Sequence, residues 1–383
     1  MDTSFQAVCE AAQADWDVPA LAVGTLAGGR FETLALGCEP STRFRIASVT
    51  KPIVAGLALS LLEPDAATGV WPDDVRVRHL LSHTSGFACE LPDRDYGRFG
   101  QGDDALPRCV AELPLVKRLF GIEDVWSYAN TGYWLAGELC AQRAQTTFED
   151  ALAAHVLDPA GLEATSFDEP DLEGFGPDLP PTPYPRARRP SGGLVSTVED
   201  VLRFGAWHVG RPESAAQRVA AGRPIGGVYG YGLFGERVAG VEVWGHPGSY
   251  GGFQTSLLTI PDRGDVFVGL TNDDRGRQAL KRIEDAWLTE VVGAPRAVAR
   301  RIELPAEALA AFAGRYATPD GVVEIEPSDG GLRVVLPDGT TIRAHAIGQR
   351  TFELCEGDDA GMRFDFPRAG FARIGSRAVE RLP

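Results

Sequence analysis

Lysine is nearly absent from this chain. Of its 37 basic residues, only Lys51, Lys117 and Lys281 are lysines, and all the others are arginines. Arginine stays protonated under all ordinary conditions, whereas a desolvated lysine loses its proton readily. The chain uses arginine where it needs a plain positive charge, so each lysine is a candidate for proton-transfer chemistry.

Several other features are missing, and each excludes a class of function. The net charge of −16 argues against nucleic acid and anionic membrane surfaces as partners. No apolar run reaches the length of a membrane-spanning helix, and the first residues lack the pattern of a secretory signal. The six cysteines show neither C-x-x-C spacing nor nearby histidines. We therefore expect a reduced, cytoplasmic protein without metal, cofactor or disulfide framework.

A Ser-x-x-Lys pair marks the start of a predicted core helix. Apolar residues recur at helical spacing from Ile53 to Leu62, so a buried helix should begin near Ser48. Residues three apart share a helix face, which brings the Lys51 amine near the Ser48 hydroxyl. The pair is a candidate nucleophile with its base. The alternative is a helix-capping serine beside a surface lysine.

Two further motifs contain residues suited to catalysis. In Trp126-Ser-Tyr-Ala-Asn, Tyr128 and Asn130 lie two apart where a helix predicted over 130–144 should begin, so both side chains can project from one turn. A tyrosine beside a lysine ammonium has its phenolate form favoured, which lowers its pKa, and it can then act as a general base. The second motif, Trp244-Gly-His-Pro-Gly-Ser, is a glycine-rich strand that permits close approach by a substrate. Taken singly, each is equally compatible with an ordinary turn or bulge.

The order of predicted elements indicates an α+β fold. A helix and two strands precede the core helix, strand signals disappear over about 63–190, and three strands and a helix follow. We expect an antiparallel sheet flanked by helices, with 63–190 as a helical insertion that includes a helix over 113–120. Six short strands between 322 and 374 predict a small antiparallel barrel or sandwich. The predicted domains are 1–293 and 302–383.

Together the three motifs resemble the serine β-lactamase and penicillin-recognising enzyme superfamily. The match runs from Ser48-Val-Thr-Lys51 through Tyr128-Ala-Asn130 to His246-Pro-Gly248, in the order and spacing of the class C branch, which includes esterases and D-amino-acid peptidases. Further similarities are Phe44-Arg-Ile-Ala, His79-Leu-Leu-Ser-His-Thr-Ser-Gly86, Ser191-Gly-Gly-Leu and Thr259-Ile-Pro-Asp262. The resemblance covers about 15–290 and implies a β-lactamase/transpeptidase-like fold. The remaining part resembles a lipocalin-like barrel, which either contributes to the cleft or merely stabilises the protein.

The resemblance also implies a role for each site residue. Ser48 would be acylated, Lys51 would take or relay its proton, and Tyr128 would act as base and then as acid. Asn130 would hold Lys51 and the carbonyl side of the substrate. The substrate edge would comprise His246, Gly248 and Ser249, with the N–H groups of Ser48 and Ser249 forming the oxyanion hole. His83 is expected to brace the insertion rather than to react.

One departure from the family pattern affects the expected substrate. Lactamases and D,D-peptidases usually carry Lys-Thr-Gly where this chain has His246-Pro247-Gly248. Proline removes a hydroxyl and an N–H, and a neutral histidine removes a cation. We therefore expect a small neutral ester or amide as substrate, with specificity determined by the loops at 88–108 and 166–190.

The alternatives are a D-amino-acid peptidase or weak β-lactamase, an acyltransferase, and a sensor that is acylated without turnover. A homo-oligomer is compatible with the sequence.

Overall fold

The computed structural model describes residues 2–70, 74–177, 179, 183–318, 321–356 and 360–383. The helices are α1 Thr3–Asp15, α2 Thr50–Leu61, α3 Val77–Leu81, α4 Ala105–Ala111, α5 Asn130–Ala144, α6 Phe148–Leu152, α7 Asp158–Ala160, α8 Arg189–Gly192, α9 Val198–Val209, α10 Gly276–Val292 and α11 Ala306–Ala310. The strands are β1 Leu21–Ala27, β2 Arg30–Leu36, β3 Phe44–Arg45, β4 Val195–Ser196, β5 Val228–Tyr229, β6 Phe234–Val238, β7 Val241–Tyr250, β8 Phe253–Ile260, β9 Asp265–Thr271, β10 Gly314–Thr318, β11 Gly321–Ser328, β12 Gly331–Val335, β13 Thr341–Ala346, β14 Thr351–Leu354, β15 Arg363–Arg368, β16 Phe371–Ile374 and β17 Arg377–Glu380.

A seven-stranded antiparallel sheet forms the centre of the N-terminal part. Its strand order is β2-β1-β9-β8-β7-β6-β5, so the chain leaves the sheet after β2 and returns at β5. Helices α1 and α10 pack together on one face, and α9 packs on the other. Strands β8 and β9 are buried along their whole length, although β8 also contains four buried polar residues, Gln254, Thr255, Ser256 and Thr259. The predicted antiparallel sheet flanked by helices is confirmed, and β5 and β6 were missed.

Apart from the two-residue strand β4, the regular elements described between α2 and α9 are helices, as predicted, and they are separated by long irregular segments. Helix α5 occupies Asn130–Ala144, the predicted span. The helix predicted over 113–120 is wrong, because only a single 3₁₀ turn forms at Leu113–Leu115. Beyond this turn the chain is extended: the Ala88 N–H donates to the Lys117 carbonyl at 2.9 Å and the Leu119 N–H donates to the Gly86 carbonyl at 2.7 Å. Tertiary pairing with this neighbouring segment overrides the local helical pattern.

The C-terminal part is an eight-stranded antiparallel sheet in sequential order, β10 to β17. It curls into a nearly closed barrel, since a bridge between Tyr316 and Arg381 links its two ends. The sequence predicted six of these strands and missed β10 and β17. The missed β17, Arg-Ala-Val-Glu, is short and carries a charge at each end, so it lacks the alternation that marks a strand. The domain boundary placed at about Gly293 stays a prediction.

Within the described ranges, no helix has the length and apolar character needed to cross a bilayer.

The packing of α10 on the sheet gives a stability prediction. Phe267 on β9 is fully buried, with its ring centroid 5.5 Å from that of Trp287, whereas Phe31 on β2 is 49% exposed. Phe267→Ala should lower the free energy of unfolding by about 3–5 kcal/mol. Phe31→Ala, the matched control, should change it by less than about 1 kcal/mol. Urea denaturation followed by circular dichroism measures both. Equal losses would show that the core between the sheet and α10 is not packed as described.

Candidate active site

The candidate nucleophile lies in a strained turn between β3 and α2. One 3₁₀ turn, Ala47–Val49, precedes the helix, and Ala47 has a φ of 45°, a conformation unusual for a residue with a side chain. The Leu194 N–H donates to Thr50 Oγ1 at 3.2 Å, which fixes the start of the helix against the chain before β4. Ser48 is partly exposed at this turn, while the residues on either side of it are buried. The turn thus presents one hydroxyl to solvent.

Lys51 lies directly behind this hydroxyl and is fully buried. Its Nζ is 3.2 Å from Ser48 Oγ and donates to the Ser191 carbonyl at 2.5 Å. Burial disfavours the charged ammonium and lowers the pKa of Lys51 to about 7. A substantial fraction of this amine is therefore neutral at physiological pH and able to accept a proton.

Tyr128 approaches the same hydroxyl from the insertion. Its Oη donates to Ser48 Oγ at 2.8 Å. Its own N–H donates to the Ser376 carbonyl at 2.8 Å, and the Ala129 N–H donates to His83 Nδ1 at 3.1 Å. Burial raises the pKa of Tyr128 well above its usual range. Tyr128 is thus a neutral phenol, not the phenolate that the sequence interpretation expected beside a lysine ammonium.

Asn130 has a buried carboxylate as a hydrogen-bond partner. Its Nδ2 donates to Glu90 Oε1 at 2.6 Å. Among the described residues, the hydrogen-bond partners found for Lys51 are the hydroxyl of Ser48 and the carbonyl of Ser191. Burial tends to raise the pKa of Glu90, but nearby arginines outweigh it and lower that pKa. A buried carboxylate thus accepts from the Asn130 amide, and the role of Asn130 at Lys51 and the substrate stays a prediction.

His246 is a buried, neutral residue of β7. Its Nδ1 lies 2.6 Å from the Pro247 carbonyl, which can only accept, so Nδ1 carries the hydrogen. Its Nε2 then accepts from the Tyr229 hydroxyl at 3.1 Å. Burial and the positive charge of Lys51 lower the pKa of His246 to about 3. As expected from the sequence, this position supplies no cation.

Strand β7 lies directly against the nucleophile turn. A Cβ at Gly248 would lie 2.4 Å from the Ile46 carbonyl oxygen, so only glycine fits this approach. The pairing with β6 ends at Gly245, which leaves the following edge of β7 facing the turn. Ser249 is fixed through its Oγ, which accepts from Gln254 at 2.9 Å. The oxyanion hole formed by the N–H groups of Ser48 and Ser249 stays a prediction.

A cavity of about 380 Å³ opens in front of Ser48. Its walls include Tyr128 and the β7 residues from His246 to Ser249, together with Ser376 and Arg377 from the C-terminal sheet. The last two were missed, because a Gly-Ser-Arg turn far along the chain has no catalytic signature. The carbonyl of Ser191 was missed as well, since a backbone contact to Lys51 cannot be read from the motif around it.

Of the loops expected to determine specificity, 88–108 contributes Glu90 beside the site. Positions 178 and 180–182 of the loop at 166–190 lie outside the described residues. In the part of the chain that the structure describes, no group of three His, Cys, Asp or Glu side chains is arranged to hold a metal ion.

Comparison with known families identifies the N-terminal part. The model of the family described as beta-lactamase matches residues 5–290, about three quarters of the chain. The chain belongs to the beta-lactamase family. A curated relative from Amycolatopsis lactamdurans, penicillin-binding protein 4, is 28% identical over 82% of this chain and 96% of its own length. A D-aminopeptidase from Cereibacter sphaeroides is 26% identical over 58% of this chain and 49% of its own length.

Solved structures show that the fold of this beta-lactamase family member extends through the C-terminal barrel. A structure titled SurE with D-Leu aligns over 99% of both chains, with a TM-score of 0.75 and 22% identity. The octameric penicillin-binding protein homologue from Pyrococcus abyssi covers 99% of this chain and 100% of its own, with a TM-score of 0.67 and 20% identity. The combination of a beta-lactamase-like part with this barrel therefore recurs in solved structures.

The low pKa of Lys51 gives a pH prediction. A base with a pKa of about 7 is protonated and inactive below that pH and neutral above it. Labelling of Ser48 by a fluorophosphonate should therefore rise with pH through about 7 and level off above about 8. Intact mass spectrometry at a series of pH values measures the rate.

Two lysine variants make this prediction specific. Lys51→Arg should abolish labelling, because arginine keeps the charge but cannot serve as a base. Lys281→Arg, on the exposed surface of α10, is the matched control and should label like the unmodified protein. A rate that does not change between pH 5 and 9 would contradict a base role for Lys51.

Proposed function

We propose that this protein is a serine hydrolase that cleaves an ester or amide through an acyl-enzyme on Ser48. One observation carries the proposal. A partly exposed hydroxyl lies within hydrogen-bond reach of both the buried amine of Lys51 and the phenol of Tyr128, and it faces a cavity large enough for a small substrate. Membership of the beta-lactamase family supports the hydrolase assignment.

In the first step, Ser48 Oγ attacks the substrate carbonyl and forms a C–O bond. The proton of the hydroxyl passes to the neutral Nζ of Lys51, whose pKa of about 7 suits a base near neutral pH. The carbonyl oxygen becomes an oxyanion, for which the N–H groups of Ser48 and Ser249 are the proposed donors. Hydrogen bonds that strengthen as this charge develops lower the barrier.

In the second step, the tetrahedral intermediate collapses and expels an alcohol or amine. Burial keeps Tyr128 protonated, and we assign it as the acid that protonates this leaving group, with the proton on Lys51 then replacing the one that Tyr128 gives up. Water next attacks the acyl ester. Its proton passes to the same pair, and Ser48 leaves with a proton, which restores the resting state.

The edge of the cavity favours a neutral substrate. His246 is uncharged and already bonded through both ring nitrogens, and Pro247 offers no hydroxyl or N–H. A substrate carboxylate therefore has no cationic partner on β7. We propose a small neutral ester or amide as the substrate.

We also retain two secondary predictions. All six cysteines are free, which fits the reducing conditions of a cytoplasmic protein. The neighbour from Pyrococcus abyssi is titled octameric, and we propose that this chain likewise forms a homo-oligomer, to be tested by light scattering.

The function is tested by incubating the protein with p-nitrophenyl butyrate, nitrocefin or a D-alanine anilide. Product release and intact mass are followed for the unmodified protein and for Ser48→Ala. We expect turnover of the ester, with loss of at least about 10³-fold in Ser48→Ala. Ser60→Ala in α2 is the matched control for loss of a serine hydroxyl and should retain turnover.

A stable adduct on Ser48 without turnover would instead show a sensor. Turnover that survives in Ser48→Ala would overturn the acyl-enzyme proposal.

Arg377 supports a second candidate function, hydrolysis of substrates that carry a carboxylate. Its guanidinium lines the cavity with Ser48, and its charge acts on the pKa values of Lys51, Tyr128 and Glu90. An arginine fork pairs well with a carboxylate, so the cation missing from β7 would come from the C-terminal sheet. The relatives named penicillin-binding protein and D-aminopeptidase fit such a peptidase.

The two candidates differ in how they respond to Arg377→Gln. If Arg377 binds a carboxylate, the variant should raise KM for nitrocefin, which carries one, by about 10-fold or more, as expected for loss of a charge-assisted hydrogen bond. The KM for p-nitrophenyl butyrate should stay within about 2-fold, since no charged contact is lost. Arg315→Gln, on the exposed surface of β10, is the matched control. Equal changes for both substrates would remove the case for carboxylate recognition.

A further inference from the structure

The C-terminal sheet makes direct contact with the segment that carries Tyr128. Strands β16 and β17 form a tight hairpin in which Ile374 pairs with Arg377, so Gly375 and Ser376 form the turn. Gly375 has a φ of 59°, as such a turn requires. The carbonyl of Ser376 accepts the Tyr128 N–H at 2.8 Å. The tip of the hairpin is therefore bonded to the backbone of Tyr128.

A buried arginine on the same hairpin, Arg373, binds the backbone carbonyl of Trp126, close to Tyr128. Arg373 Nε and Nη2 donate to the two oxygens of Asp365 at 2.9 and 2.6 Å. Its Nη1 donates to the carbonyls of Trp126 and Arg223, each at 3.0 Å. Arg373 is only 6% exposed, and a buried charge is stable only with such partners. The guanidinium of Arg373 thus links the barrel to the backbone at Trp126, two residues before Tyr128.

The insertion holds this segment from its other side. The Ser127 N–H donates to the His83 carbonyl at 3.2 Å, and the Ala129 N–H donates to His83 Nδ1 at 3.1 Å. On the barrel side, the Ala378 N–H donates to Ser127 Oγ at 3.0 Å. Residues on either side of Tyr128 are therefore fixed between His83 and the hairpin.

Apolar packing supports these hydrogen bonds. Phe120 and Phe371 meet with ring centroids 4.6 Å apart, and Val125 and Ala378 belong to the same buried cluster. Lys117 and Glu380 form an ion pair at its edge. The contact between the barrel and the insertion is thus specific along the whole hairpin.

We infer that the C-terminal sheet is a positioning element for Tyr128, with Arg373 as its principal positioning residue. The inference rests on the proposed function, in which Tyr128 Oη must stay near Ser48 Oγ, 2.8 Å away. A displacement of about 1 Å in a reacting group can reduce the rate by about 100-fold. The barrel then contributes to catalysis without supplying the proton-transfer group itself.

Arg373→Lys tests the inference in the full-length protein. Lysine keeps a charge beside Asp365 but loses the fork that reaches both Asp365 and the Trp126 carbonyl. With p-nitrophenyl butyrate, kcat should fall by about 10-fold to 100-fold while KM stays within about 3-fold. Arg333→Lys on β12, whose partner Glu326 is also exposed, is the matched control and should leave both constants unchanged.

A double-mutant cycle distinguishes positioning from general disruption. The kcat for p-nitrophenyl butyrate is measured in Arg373→Lys, Tyr128→Phe and the double variant, because the proposed mechanism uses Tyr128 in the steps that follow the attack by Ser48. If Arg373 acts through the Tyr128 hydroxyl, its effect should shrink to less than about 2-fold in the Tyr128→Phe background. The same loss in both backgrounds would overturn the inference and leave the barrel as a stabilising appendage.

A second variant applies if Arg373→Lys does not fold. Ser127→Ala removes the acceptor of the Ala378 N–H without altering the barrel, and it should lower the kcat for p-nitrophenyl butyrate by about 3-fold to 10-fold, the equivalent of a single hydrogen bond. This loss should also disappear in Tyr128→Phe, and its persistence there would count against positioning.

Failure of this inference is distinguishable from failure of the proposed function. Turnover in Ser48→Ala would contradict the proposed function. An inactive Ser48→Ala together with a fully active Arg373→Lys would contradict only the positioning role of Arg373.

Discussion

The burial of the Lys51 amine is the constraint on which the candidate site depends. An ammonium group taken out of water loses its hydration, and the Ser191 carbonyl and the Ser48 hydroxyl replace only part of it. The protein therefore lowers the pKa of this amine to about 7, so a large fraction of it is uncharged at neutral pH. The near absence of other lysines fits this arrangement, because arginine in the same place would remain charged and could not act as a base.

Several titratable groups near Lys51 are uncharged. Burial lowers the pKa values of His83 and His246 and raises that of Tyr128, so each is uncharged at neutral pH. The buried carboxylate of Glu90 is paired with Asn130 and nearby arginines instead of with the lysine. A carboxylate beside Lys51 would favour the ammonium and raise its pKa. Glu90 does act on Lys51 in this direction, but burial and the charges of Arg188 and Arg377 oppose it, and the pKa of Lys51 stays lowered.

The sequence predicted those parts of the structure that local patterns determine. Helical spacing predicted α2 and α5. The three-residue spacing of Ser48 and Lys51 predicted the contact between the hydroxyl and the amine. Contacts made by backbone carbonyls, such as those of Ser191 and Ser376, leave no pattern because any residue can supply them. The direction of the Tyr128 pKa was missed for a related reason, since burial depends on the whole fold.

The contribution of the C-terminal sheet to the cavity follows from how the hairpin is built. Its tip, Ser376 and Arg377, enters the cavity, while Arg373 and Ala378 behind it hold the backbone on either side of Trp126 and Ser127. A shift of the hairpin would thus move the guanidinium of Arg377 and the hydroxyl of Tyr128 together. Under the proposals above, binding of a substrate carboxylate by Arg377 and positioning of Tyr128 would be coupled through this hairpin. Such coupling gives a physical reason for the barrel to lie against the insertion instead of being joined to it by a flexible linker.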